Sequence, residues 1–446
     1  MQNETFREKS YWLTTRDYSP GNPLSEDMTV DVAIVGGGFT GLSTAYHLKK
    51  AEPNLRVAIL ESEVIGFGAS GRNGGFNMTL FGLTLGITAL RFGRQKAREA
   101  HRYMEKAVDL LRDLVAELRL DCDYEHPGFL RVATSEKYKV RIQEEIELAH
   151  QLGLEGITWL DKGQLEKEIR SPMYLGAWWE PRCGILNPAK LAWSWKDVLV
   201  PMGVDIYENS PVAEISRQSG KIMLATPGGR VRADKVVMAT NAWSHFFPNL
   251  RRKQIPVWTH IVLTEPLTAK QFDAIGWQNR QGIEDARNLV HYYRLTADNR
   301  LLMGGRDVSL SSGYDMDRDL NPPTFEGLRT DVRQLFPALN DIRFTHEWGG
   351  PVSVPVDMAP AMGTLGDKNV VYSLGCVGHG VSLTHLNGQT LCDMVLERRT
   401  ELTDVFFVNR RTIPWPPGVL RNVAIKVIKG YMDWEDRRFD APVPTH

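Results

Sequence analysis

No stretch of this 446-residue chain reaches the ~18 consecutive apolar residues that a membrane-spanning helix needs. An excess of positive charge is missing too. Fifty-three Lys and Arg stand against 54 Asp and Glu, which leaves no electrostatic footprint for nucleic acid and argues against a membrane partner. Cysteine is sparse: Cys122, Cys183, Cys376 and Cys392 are scattered, with no Cys-x-x-Cys pair. Four reduced thiols are therefore expected. No group of His, Cys and carboxylates has metal-ligand spacing, so no metal site is expected. Residues 1–21 carry neither an apolar signal core nor a twin-arginine pair, which predicts a cytoplasmic protein. Internal repeats and low-complexity segments are also lacking.

What the chain does contain is a strand–turn–helix–strand unit near its start. Val30, Val32, Ile34 and Val35 form a short apolar run, as in a strand buried on both faces. Leu42, Ala45, Tyr46 and Leu48 follow at helical spacing, ending in Lys49-Lys50, and Leu55–Leu60 is a second β-rich run. Between first strand and helix lies Gly36-Gly37-Gly38-Phe39-Thr40-Gly41, a G-x-G-x-x-G turn. Gly36 permits the tight turn, Gly38 lets backbone approach a pyrophosphate, and Gly41 lets helix and strand pack closely. The helix N-terminus then aims unpaired N–H groups at phosphate. Glu61, twenty residues past Gly41 with Ser62 beside it, stands where an acid accepts hydrogen bonds from ribose hydroxyls.

A second glycine-rich loop, Val64–Gly75 (VIGFGASGRNGG), follows at once. A nicotinamide site has no need of it. FAD does, because its longer chain needs further backbone donors. Gly68, Ala69, Ser70, Arg72, Asn73, Gly74 and Gly75 are therefore assigned to the cofactor; the alternative is an exposed flexible loop. A third glycine turn, Gly375 to Ser382 (GCVGHGVS), precedes a helix expected over 383–397. Gly375, Gly378, His379, Gly380, Val381 and Ser382 would set a positive helix end at the pyrimidine side of a flavin ring. His379 also reads as a plain turn residue. Elsewhere the pattern predicts a long amphipathic helix over 94–119, a helix over 135–152, and short strands near 129–133, 176–179, 204–207, 215, 222–225, 231–239 and across 256–305.

Together VDVAIVGGGFTGLSTAYHL, ILES, IGFGASGRNGG, YYRLTADNRLLMGG and GHGVSLTHLNGQ resemble the D-amino-acid oxidase / glycine oxidase / sarcosine oxidase superfamily, and within it the gamma-glutamylputrescine oxidase-like oxidoreductases. The resemblance covers most of the chain. It implies an α/β fold with a discontinuous Rossmann-like FAD-binding domain (1–120, 188–245 and 345–446). A second, α+β substrate domain would be built on a mixed, largely antiparallel sheet (121–187 and 246–344). It further implies that Val212 and the segment Ala239, Thr240 and Asn241 lie against FAD, and that Arg306 is a substrate-side arginine. Sarcosine oxidases hold flavin through a cysteine in the stretch matching Trp348–Asp357, and this chain has none there. Non-covalent FAD is expected.

The implied reaction moves a hydride from the carbon beside an amine nitrogen to flavin N5. The imine left behind hydrolyses to an aldehyde or keto acid, and oxygen or another acceptor takes the electrons. Such chemistry needs orientation, a free amine and exclusion of water more than a strong base. Substrate-side candidates are His260, His291, Tyr292, Tyr293, Arg294 and Arg306, with His260, His379, Arg306 and Tyr292 assigned to catalysis. His260 either takes a proton or is a hydrogen-bonded core histidine. Tyr292 and Tyr293 alternate on one strand, so at most one faces the site. Two other readings stay open: an amino-acid or aminophosphonate oxidase with Arg306 or Arg294 at the anionic head, and a flavin subunit without its own turnover. The last helix places Leu420, Val423, Ala424, Val427, Ile428 and Tyr431 on one face. Docking of that face on the protein's own surface is expected, a membrane-surface or partner helix being the alternative.

Overall fold

The computed structural model describes residues 4–310 and 315–439; residues 1–3, 311–314 and 440–446 of the expected domain ranges, and the Ala424 side chain, lie outside the described part. Among the described residues the strands form two eight-stranded sheets and a two-stranded ribbon.

In the first sheet the strand order is Ala361–Thr364, Val370–Leu374, Gly229–Met238, Met28–Val35, Val57–Leu60, Val204–Tyr207. All neighbours run parallel except the edge strand Ala361–Thr364. Val57–Leu60 is buried along its whole length, as parallel strands covered on both faces must be. Two further strands, Glu214–Gln218 and Lys221–Thr226, attach antiparallel to Gly229–Met238. The helices Phe39–Ala51 and Gly380–Val395 cross on this sheet at very short range. A Cβ on Gly388 would lie 2.4 Å from Ser43 Oγ, and Ser43 Oγ donates to the His385 carbonyl at 2.7 Å. The long helix Arg94–Leu118 buries Ala100, Met104, Ala107 and Leu111 against them.

The second sheet runs Phe344–Val354, Ile255–Pro266, Arg300–Leu310, His291–Leu295, Gly282–Asp285, Phe129–Val132, Gly176–Glu180, Thr158–Asp161. Every pairing is antiparallel except that of Gly282–Asp285 with Phe129–Val132. The mixed α/β architecture anticipated from the sequence is present. The expected division at 345 falls inside the strand Phe344–Val354, which pairs along its length with Ile255–Pro266; that strand belongs to the second sheet and carries the chain back to the first. The helix Pro322–Leu335, not anticipated, covers the outer face of the second sheet. Asn321 caps it and prolines fill its first turn.

The last helix, Gly418–Phe439, departs from expectation. Its predicted apolar face is not docked: Leu420, Val423, Val427, Ile428 and Tyr431 are all more than half exposed. Polar contacts decide its orientation. Asp436 accepts from Tyr138 Oη at 2.7 Å, Asn288 N at 2.9 Å and Leu289 N at 2.8 Å, and Lys429 pairs with Asp307 at 2.5 Å. Leaving the buried Asp436 and the Asn288 and Leu289 N–H groups without partners would cost stability, and their pairing holds the helix in this orientation.

Candidate functional site

The glycine turn after Met28–Val35 folds as its residue types require. Gly36 has φ +110°, and a Cβ there would lie 2.6 Å from the Ala239 carbonyl oxygen. Ala239 N in turn donates to Val35 O at 2.9 Å, which seats Ala239 and Thr240 against the turn. A Cβ on Gly41 would lie 2.1 Å from Gly36 O, so helix and strand approach as only glycine permits. Gly38, the N-cap residue, has no side chain to cap the helix that begins at Phe39. Its first N–H is met by Ser70 Oγ at 3.0 Å, which brings the second glycine loop to the same helix end; Thr40 is its second residue.

Glu61 is buried at the end of the second strand. Its carboxylate accepts from Gly37 N at 2.6 Å, Glu63 N at 3.0 Å and Ser62 Oγ at 3.1 Å. Burial nevertheless dominates and pushes the carboxyl above its ordinary value, against the pull of those donors. Ser210 N donates to Glu61 O at 2.7 Å, so Val212 follows closely on that end of the cleft.

The loop 66–75 is held from several sides. Gly68 approaches the Trp243 ring. Asn73 acts as an internal staple: its Nδ2 donates to Ala69 O and Ser70 O, and its Oδ1 accepts from Gly75 N at 2.7 Å. The Arg72 guanidinium pairs with Asp319 at 2.8 Å, while its carbonyl accepts from Trp348 Nε1 at 2.8 Å. Gly75, at φ +76°, has no room for a Cβ, which would lie 2.0 Å from Leu186 O. Arg294 clamps this turn, donating from Nη1 to Gly75 O at 3.0 Å and Leu186 O at 2.7 Å.

The third turn is tied to the strand Phe344–Val354, whose Gly350 lies against Arg72 of the second turn. Gly375 N donates to Ser353 Oγ at 3.0 Å and Val377 N to Ser353 O at 3.2 Å, while Ser382 Oγ donates to Met78 O at 2.7 Å. Val377 has φ +48°, a strained conformation for a β-branched residue of the kind that collects at functional sites. Gly378 and His379 then lead into Gly380–Val395, again without a side-chain cap; Gly380 and Val381 open that helix. Asn241 reaches over from the first sheet, its Oδ1 3.6 Å from Cys376 Sγ. All four cysteines are free and buried.

The second sheet supplies the opposite wall. Tyr292 lies against Gly74 and edge-on to Phe76, with centroids 5.9 Å apart. Its register partner is Glu284, whose Oε1 lies 3.8 Å from His379 Nε2. Glu284 is buried and was not singled out from the sequence. Burial pushes the Tyr292 hydroxyl up to about 12, and Thr259 hydrogen-bonds it. His379 Nδ1 is buried without a hydrogen-bond partner.

The other substrate-side candidates turn away. His260 Nε2 meets the Arg318 carbonyl at 3.0 Å and its ring meets Phe325 edge-on, under the outer helix. His291 bonds Asp285 and Asp331, and Arg306 pairs with Asp331 as well. Tyr293 Oη bonds Tyr174 Oη at 2.6 Å. The structure thus brings Tyr292, His379 and the glycine turns together, and sets His260 and Arg306 on the far face of the sheet.

Further along the cleft-side face, Glu180 lines a cavity of about 30 Å³ with Thr79, His101, Arg131 and Trp178. Its carboxylate accepts from Thr79 Oγ1 and Trp178 Nε1, and burial pushes it from 4.5 up to about 7. Between those values the folded chain keeps a proton that the unfolded chain has lost. Stability therefore falls as pH rises through this window, by a total of about 3 kcal/mol, and is level above it. Glu180→Gln should remove that slope. Urea midpoints at pH 5 and pH 8 should converge in the variant and differ in the parent; an unchanged slope would assign the titration elsewhere.

Comparison with known proteins agrees with this geometry. Residues 31–394 match the family described as DAO, FAD dependent oxidoreductase. Gamma-glutamylputrescine oxidoreductase of Escherichia coli (strain K12) is 33% identical over 411 residues, covering 92% of this chain and 93% of that protein. The sarcosine oxidase beta subunit of Arthrobacter sp is 26% identical over 82% of this chain and 86% of its own. In fold, the crystal structure of glycine oxidase from Geobacillus kaustophilus superposes with a TM-score of 0.74 at 24% identity, over 86% of this chain and 99% of that one. Since the family match begins within the first strand and runs into the helix behind His379, it spans all three glycine turns, and the chain belongs to the DAO family of FAD-dependent oxidoreductases.

Proposed function

We propose that this chain oxidises the C–N bond of a cationic amine, and that Glu284 recognises the amine. The observation that carries the reading is the buried Glu284 carboxylate beside His379 and Tyr292, on the wall facing the glycine turns. The arginines that an anionic substrate head would need are engaged elsewhere: Arg294 on the Gly75 turn and Arg306 on Asp331. When bound, FAD supplies the hydride acceptor. The residues fit it through two helix ends that no N-cap side chain blocks, a Gly38 without a side chain and the buried Glu61. Gly36, Gly38, Phe39, Thr40, Gly41, Glu61 and Ser62, with Val212, would hold the nucleotide half. Residues 68–75, Ala239 to Asn241 and 375–382 would hold the remainder. A non-covalent attachment is supported by Cys376, whose thiol is buried inside its turn and pushed up by that burial.

Within this site Glu284 draws the ammonium in by charge. His379 Nε2 lies 3.8 Å from that carboxylate, and its Nδ1, which has no hydrogen-bond partner, would be the group that meets the amine. Tyr292, its hydroxyl kept protonated, donates and orients. The two sheets close around the amine and exclude water. The imine left by the oxidised amine would add water and release an aldehyde with ammonia or a smaller amine, the electron pair passing finally to oxygen or another acceptor.

The purified protein should be yellow. Under anaerobic conditions its visible flavin band should bleach on addition of alkyl amines, gamma-glutamylputrescine among them, and not with amino acids or aminophosphonates. Bleaching by the anionic substrates alone would replace this reading with the amino-acid oxidase one, and bleaching by none with the non-catalytic subunit.

A further inference from the structure

The helix Gly418–Phe439 lies beyond the family match, which ends at 394. One narrow face pins it to the body: Ile425 packs near Ile255, Val257 and Trp415, and Lys429, Glu435 and Asp436 make the polar contacts. An ordinary surface helix turns its apolar stripe inward and its charges outward. Here the order is inverted. Leu420 (67% exposed), Val427 (66%), Tyr431 (59%) and Trp434 (52%) face out, with Val423 and Ile428 beside them. The acids Glu435 and Asp436 are turned inward on Lys137 and Tyr138.

Basic side chains rim the outward stripe. Lys426, Arg437 and Arg438 are exposed along the helix. At its base the exposed Arg411 and Ile413 adjoin Arg252, which is also exposed and is tied to the linker through the Trp415 carbonyl at 2.9 Å. Asp433 is the acid on the outward side and is already paired with Arg437. The net charge of -1 thus conceals a local cationic, apolar surface. No helix among the described residues is long and apolar enough to cross a membrane, so contact with lipid would be in the plane of the interface.

We propose that this helix docks the protein on an anionic lipid surface, with the stripe entering the headgroup–acyl boundary and the arginines meeting lipid phosphates. Charge selects this occupant over a second copy of the chain. Parallel pairing of two such helices sets Arg437–Arg438 on its own image, and antiparallel pairing sets it on the Arg421 end; both are repulsive. Anionic headgroups neutralise the rim, and Tyr431 and Trp434 have the amphipathic rings that settle at such boundaries.

Holoprotein should sediment with vesicles containing phosphatidylglycerol, remain in the supernatant with phosphatidylcholine alone, and be released by added salt. Val427→Glu with Ile428→Glu should lower partitioning at least about tenfold, and Arg437→Glu with Arg438→Glu should do the same, while flavin absorbance and amine turnover stay unchanged. Failure of the parent protein to sediment with anionic vesicles overturns the proposal. So does an oligomer, seen by size exclusion, that the Val427/Ile428 change converts to monomer in the absence of any lipid binding.

Discussion

Gly38→Val should yield a folded, colourless protein. Gly38 has φ −85° and ψ −179°, extended backbone that valine adopts readily, so the substitution brings no conformational strain. The nearest atom to an added Cβ is Ser70 Oγ at 2.9 Å, with Ser70 Cβ next at 3.9 Å. Rotating that hydroxyl away gives up its bond to Phe39 N, a cost of about 1 kcal/mol that leaves the fold intact. What the valine does occupy is the approach to the uncapped helix end, where peptide N–H groups must reach phosphate. Losing two charge-assisted hydrogen bonds there, at about 1.5–3 kcal/mol each, weakens FAD at least about 100-fold. Gly41→Val supplies the contrast. Its Cβ would meet Gly36 O at 2.1 Å and Ile34 Cγ2 at 3.2 Å, so it should lower the melting temperature of the apoprotein itself. Titration of flavin fluorescence separates the two effects. A Gly38→Val protein that binds FAD like its parent would remove the first turn from the cofactor site.

The glycine turns could be read from the chain because their geometry leaves one residue type possible. Gly36 and Gly75 combine positive φ with carbonyl oxygens where a Cβ would be, and Glu61 follows at the distance one βαβ unit sets. Glu284 offered no such signal. It is one of two acids in a four-residue strand, and its partner His379 is 95 residues away, in the turn that follows a strand of the other sheet; only the packing of the two sheets brings them together. Strand alternation separated Tyr292 from Tyr293 but could not say which face met the cleft. That depended on Phe76 and Gly74 on one side and on Tyr174 on the other. The direction of His260 and Arg306 was hidden for the same reason: the helix Pro322–Leu335, with Asp331 and Phe325, takes the face they point to. In the last helix the apolar period was legible and its direction was not. Direction was decided by buried acceptors for Asn288 and Leu289, which lie far away in sequence.

Glu284→Gln should lower kcat/KM for a cationic amine by about 100-fold while leaving flavin content unchanged. Glutamine keeps the size of the side chain and its packing beside Tyr292, so the wall of the cleft stays in place. It removes the buried carboxylate near His379 Nε2. Breaking a buried, hydrogen-bonded charge interaction costs about 3–5 kcal/mol in protein interiors, and about 1.5–3 kcal/mol where the partner keeps some solvent. The cleft mouth belongs to the second regime, since His379 retains partial exposure. The loss should appear first in amine binding, as a raised dissociation constant in anaerobic flavin reduction. A smaller decrease in the limiting reduction rate should accompany it, because an amide holds the bound amine and the His379 ring in place more weakly than a carboxylate does. Tyr292→Phe tests the neighbouring contact: it removes a donor but no charge, and should cost about tenfold at most. If Glu284→Gln stayed within a factor of about three of the parent on every amine, recognition by this carboxylate would be wrong, even with FAD binding intact.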